Sequence, residues 1–185
     1  MKRHIIGFVL LGSAAISTPA SAAITGNVNA TIVLTTACRI NNTVVPDTTT
    51  NVDFGTLDFG VQNSYFTQAT AQLVGTAGNG IAIQCSNGTQ PTISFSAGNS
   101  AGLGTSNTGT TGTRSMKHTT SANYVTYNLY RDAGSATPIV ANTAIALAAD
   151  GSAQNVTVYG TAYGAAGLIT GTYNDVVVVT IAFGP

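Results

Sequence analysis

The sequence contains no glutamate and no tryptophan, and only 6% of its 185 residues are charged, against about 25% in an ordinary soluble domain. All six acids are aspartates, balanced by six lysines and arginines. Without Glu–Lys pairs, a fold built from solvated surface helices is excluded. A net charge of zero also excludes the basic surface that phosphate backbones require, so no nucleic acid is expected as a partner. Cysteine is equally scarce: Cys38 and Cys85 stand alone, too far apart for a compact metal motif. What the chain has instead is threonine, 30 of it, beside 21 glycines. β-Branched residues punctuated by glycine favour strands and turns, and the length suits one domain. The expected class is all-β.

The first residues carry an address. Lys2-Arg3-His4 precede an apolar run from Ile5 to Ile16, and Ala20-Ser21-Ala22 follow. That order of charge, short apolar core and small residues predicts a secretory signal peptide over residues 1–22, cleaved after Ala22. The run is shorter than the roughly 20 residues a spanning helix needs. The mature chain then begins at Ala23 and keeps Arg39, Arg114, Lys117 and Arg131 against six aspartates, a slightly acidic balance. In an oxidising compartment two cysteines have one intramolecular pairing, so Cys38–Cys85 is the expected disulfide. Closing that loop is worth roughly 4 kcal/mol in the chain-entropy model.

Beyond the leader, short alternating segments are separated by turn residues. From Ile24 to Leu34 the even positions are Ile24, Gly26, Val28, Ala30, Ile32 and Leu34, while the odd ones are polar except Val33. Further strands are expected at Val52–Phe59, Phe66–Val74, Ile81–Cys85, Thr92–Ser96, Tyr124–Tyr130, Ala153–Tyr159 and Tyr173–Phe183. Seven or more short strands read as a sandwich. The Gly/Thr/Ser-rich stretch 97–113 is expected to be a long exposed connection. The last strand is apolar on both faces, with Tyr173, Val177, Val179, Ile181 and Phe183 on its odd face. It is therefore expected to be buried on both sides.

Residues for chemistry are few. One histidine, His118, remains after cleavage, and no Gly-x-Ser-x-Gly elbow or similar signature accompanies it. It reads as a solvated loop residue. Asp53 and Asp58 are close in sequence, but Asp53-Phe54-Gly55 and Asp58-Phe59-Gly60 look like turns rather than the paired acids of a glycosidase. Scattered aspartates do not assemble a metal site. No catalytic residue, cofactor or metal is expected, and the chain is not read as an enzyme.

Six blocks, in order along the mature chain, carry a resemblance. They are Ile24-Thr25-Gly26-Asn27-Val28; Phe54-Gly55-Thr56-Leu57-Asp58-Phe59-Gly60; Ile83-Gln84-Cys85; Arg114-Ser115-Met116-Lys117; the run from Val125 to Asp132; and Gly171-Thr172-Tyr173-Asn174-Asp175 leading to Phe183. In these the chain resembles the spore coat U domain family, the domain type of archaic chaperone-usher pilus subunits. It departs at the trailing Gly184-Pro185, since such subunits commonly end at the aromatic residue.

The resemblance implies an immunoglobulin-like sandwich that lacks its last strand. It divides the chain into leader (1–22), donor extension (23–35) and pilin domain (36–185). Ile24, Gly26, Val28, Ala30, Ile32 and Leu34 would form the donor strand. Tyr173, Val177, Val179, Ile181 and Phe183 would line the acceptor groove, filled first by a periplasmic chaperone and then by the next subunit. An outer-membrane usher and a homopolymer of subunits complete the implied partners, and the product is an adhesive, biofilm-promoting surface fibre. Two other readings stay open: a self-contained secreted spore or envelope coat protein, and a tip adhesin that binds surfaces or glycans.

Overall fold

The computed structural model describes residues 23–46, 48–106 and 113–184. The expected leader and the centre of the 97–113 loop lie outside them. The chain divides into two units, with the boundary between Leu34 and Thr35. In the first, residues 23–34 have no regular secondary structure and are exposed throughout. The strand expected there does not form in the single chain. A lone strand leaves its backbone N–H and C=O groups without ladder partners and buries nothing.

Among the described residues of the second unit there are fourteen strands and no helix. In order they are β1 (Cys38–Ile40), β2 (Thr43–Val45), β3 (Gln68–Gln72), β4 (Val74–Gly75), β5 (Gly78–Asn79), β6 (Ile81–Cys85) and β7 (Gln90–Phe95). They continue with β8 (Arg114–His118), β9 (Tyr124–Tyr130), β10 (Ile145–Ala146), β11 (Gln154–Val156), β12 (Tyr159–Tyr163), β13 (Tyr173–Asn174) and β14 (Val179–Gly184). One sheet has the order β13-β8-β9-β12-β3; two others are β11-β6-β1-β2 and β10-β7-β14, and β4-β5 is a small hairpin. All the pairings are antiparallel.

The three larger sheets share one core. Ile81 and Ile83 of β6, Ile93 and Phe95 of β7, and Val125, Tyr127 and Leu129 of β9 meet in it. Alternation in these strands puts every second side chain inside, and β6 shows it without interruption. The architecture is an all-β sandwich. It is open along β14, which among the described residues is paired on one edge only, with β7.

Turn chemistry sets several connections. Asn41 and Asn42 both have positive φ, 47° and 67°, and link β1 to β2 with Ile40 opposite Thr43. Two residues of positive φ suit the right-handed twist of a tight hairpin, and asparagine tolerates that geometry. Asp53 and Asp58 are turn residues as expected: each carboxylate accepts the N–H two residues on, at 2.9 Å from Gly55 and 2.8 Å from Gly60. Gly55 needs its freedom, since its φ is 119° and a Cβ there would overlap the Val74 carbonyl.

Several expected elements change. Val52–Phe59 alternates between exposed and half-buried side chains but makes only an isolated bridge, Thr56 with Val74. No neighbour offers it a continuous ladder. Ala153–Tyr159 divides between β11, which pairs with β6, and β12, which pairs with β9 and β3. The described part of the 97–113 loop is only partly exposed. Ser100 is buried, and the Gly104 N–H donates to the Ser115 hydroxyl at 2.9 Å, tying the loop to β8.

Candidate functional site

The open edge of β14 follows from strand parity. Ser96 donates its N–H to the Val178 carbonyl at 2.9 Å, so Val178 and its register mates Thr180 and Ala182 turn their backbones toward β7. Val179, Ile181 and Phe183, opposite Phe95, Ile93 and Pro91, then turn theirs away from β7. The same residues turn their side chains inward and are half-buried.

Beside that edge lies a groove of about 870 Å³. One wall is the closing segment from Tyr173 to Phe183; the other runs from the end of β2 at Val45 and Pro46 through residues 48–57 to Phe59, and past β2 it makes no ladder beyond the Thr56–Val74 bridge. Val52, Phe54, Leu57 and Phe59 point half-buried from the second wall, and Phe59 meets the Tyr127 ring edge-on at 6.0 Å. The floor is core: Ile40, Leu73, Phe95, Met116, Leu129 and Val158. Cys38, bonded to Cys85 across the β1–β6 pair, also lines it. The groove thus combines apolar side-chain subsites with an unpaired main-chain edge. Such a site is chemically suited to an extended segment with alternating apolar residues.

Tyr173, Val177, Val179, Ile181 and Phe183 all face this groove. Burial of the last strand on both sides does not hold: Val176 and Val178, on its other face, are 60% and 59% exposed. The reason is that, among the described residues, no further layer covers that face of the edge. Ile24, Val28, Ile32 and Leu34 are exposed, as are Gly26 and Ala30.

His118 is also corrected. It closes β8, is only 6% exposed, and packs against the Tyr173 ring at 5.0 Å. Its Nδ1 accepts the Thr120 N–H at 3.2 Å, and its Nε2 lies 3.3 Å from the Thr170 carbonyl oxygen. Cross-strand pairing with Tyr173 draws it into the fold, where its ring is held by local polar partners.

A polar cluster beside the groove was missed. Arg114, 1% exposed, donates Nε to the Ser96 carbonyl at 2.9 Å, Nη1 to that of Ile139 at 3.1 Å and Nη2 to that of Phe95 at 3.3 Å. Burial lowers its pKa, a shift opposed by the nearby Tyr127 and Asp175. The Tyr127 hydroxyl donates to Asp175 Oδ2 at 2.7 Å. Burial, then that bond, push the Tyr127 pKa far above its ordinary value. Parity carried the signal: Asp175 shares the odd face of Tyr173 and Val177, and Arg114 the face of Met116 and His118. Among the described residues no three His, Cys, Asp or Glu side chains converge as a metal site.

Fold and site together define a class, an incomplete β-sandwich with an open apolar groove along its last strand. Residues 24–180 match the model of the Spore Coat Protein U domain, and the chain belongs to that family. Among solved structures it is similar to a chain in the crystal structure of the CsuC–CsuE chaperone-tip adhesion subunit pre-assembly complex from archaic chaperone-usher Csu pili of Acinetobacter baumannii. Identity is 20% and the TM-score 0.42, with 80% of this chain and 40% of that chain covered. This chain therefore spans less than half the length of its match. No curated protein matches it.

Proposed function

We propose that the protein is a structural subunit of a chaperone-usher pilus, exported through the periplasm and polymerised at the cell surface by donor-strand complementation. The observation that carries this reading is the apolar groove along the unpaired edge of β14, in a chain whose residues 24–34 alternate apolar and polar yet form no strand of their own. The occupant is that segment from a second copy. Its even face would enter the groove and its backbone would pair with Val179, Ile181 and Phe183. Burying Ile24, Val28, Ile32 and Leu34 contributes about 6 to 12 kcal/mol gross, at about 1.5 to 3 each, before the cost of ordering the segment. Gly26 on the same face permits close backbone approach. Before assembly a periplasmic chaperone fills the groove, which shields an edge otherwise prone to aggregation, and an outer-membrane usher exports the growing homopolymer. The fibre promotes adhesion and biofilm.

The test substitutes the two faces of the segment separately. Val28→Asp and Ile32→Asp put a carboxylate into an apolar groove, costing several kcal/mol, and should abolish fibres while leaving the chaperone complex intact. Thr31→Asp, on the polar face, should assemble normally. Equal effects on both faces, or a chain that stays monomeric at high concentration without a chaperone, would sink the assembly reading and favour a self-contained coat protein.

A further inference from the structure

The closing segment changes sheets along the groove wall. Tyr173 and Asn174 pair with His118 and Lys117 of β8, whereas from Val179 onward the chain pairs with β7. Residues 175–178 between them belong to no strand, yet they form the middle of the wall. Side chains hold them there. Asp175 accepts the Tyr127 hydroxyl and, at Oδ1, the Asn99 N–H at 2.7 Å. The Val178 N–H donates at 2.8 Å to the Ser96 hydroxyl. In a regular ladder it would donate to the Ser96 carbonyl, but that oxygen accepts Arg114 Nε. A guanidinium is thus buried at a cost, and its effect is to end the β7 ladder at Ser96 and pass the wall to side-chain partners.

We propose that Asp175, Tyr127 and Ser96, braced by Arg114, are positioning residues that hold the empty groove in its strand-accepting shape; this rests on the donor-strand reading above. An unladdered wall that is already ordered spares the incoming strand the cost of ordering it. Once a strand is seated, its own hydrogen bonds to the closing segment fix the wall, and the cluster is no longer needed for that purpose. The cluster should therefore govern association far more than dissociation.

The experiment follows a fluorophore-labelled synthetic peptide of residues 24–34, in large excess, as it binds the chain beginning at residue 23 in solution dilute enough that copies do not meet, by stopped flow for association and by competition for dissociation. Asp175→Ala should slow association about tenfold, with dissociation close to that of the parent. Asp175→Asn, which keeps one acceptor oxygen, should recover part of the rate. Ser96→Ala removes a single hydroxyl and should slow association to a smaller degree; it carries the test if Asp175→Ala does not fold. Faster dissociation at unchanged association overturns the proposal, as does a lower melting temperature with both rates unchanged, the mark of a purely structural role. A parent chain that takes up no peptide overturns the donor-strand reading itself, and this inference with it.

Discussion

β9 and the closing segment from Tyr173 to Phe183 both turn odd-numbered apolar side chains toward the core, and their surroundings could hardly differ more. β9 is paired on one edge with β8 and on the other with β12. Its inward residues Val125, Tyr127 and Leu129 are buried, and so are Thr126 and Tyr130 on its other face, where the Tyr130 and Tyr163 hydroxyls meet at 3.0 Å. The closing segment has one partner at a time, β8 and then β7, and its best-covered residues are only half-buried. Apolar alternation says that a face needs cover; the number of neighbouring strands decides whether the chain supplies it.

The largest perturbation acts where the two regions share a floor. Cys38→Ser with Cys85→Ser removes a cross-link over 47 residues, worth about 4 kcal/mol in the chain-entropy model. Urea denaturation should show that loss, and a midpoint unaffected by the substitution would deny the disulfide its stabilising role. Next comes Leu129→Ala, which opens a cavity in the doubly paired strand and should cost about 3 kcal/mol even with the groove empty. Ile181→Ala should cost only about 1 kcal/mol in the unoccupied chain, because its side chain is already half in water. That cost should rise on addition of the 24–34 peptide. If Ile181 and Leu129 respond alike without peptide, the contrast between the two regions fails.

The smallest effect concerns the loop that follows β9. The Asp132 carboxylate accepts the N–H groups of Ala136 and Thr137 at 3.1 and 2.6 Å, and these bonds hold its pKa below the ordinary aspartate value. A depressed folded pKa means that the stabilisation is fully present above the unfolded value and is lost as pH falls through the folded one. Asp132→Asn should accordingly lower the melting temperature slightly at neutral pH and lose that difference in strong acid. A difference that persists at the lowest pH would assign the effect to something other than this carboxylate.

Some of this was legible from residues alone. Strands β6 and β9 occupy the bounds that alternation indicates, because each is a continuous ladder with its inward face in the core. The turns at Asp53 and Asp58 were legible because an aspartate two residues before a glycine closes its hydrogen bond locally. The Asn41–Asn42 hairpin was readable on the same local grounds and went unread. His118 and Arg114 were not legible in this way. Their burial depends on Tyr173, Ile139 and Ser96, residues distant in sequence that only the packed sheets bring near.

The amino-acid sequence by itself determined the all-β class, the local turns and the alternation of the strands. Each depends on backbone preference, composition or contacts within a few residues. Only the tertiary structure decided that Val52–Phe59 would stay without a ladder, that the closing segment would change sheets at residues 175–178, and that a groove would lie between them. Pairing and cover come from strands far apart in the chain, and an apolar face carries no record of which neighbour, if any, will meet it.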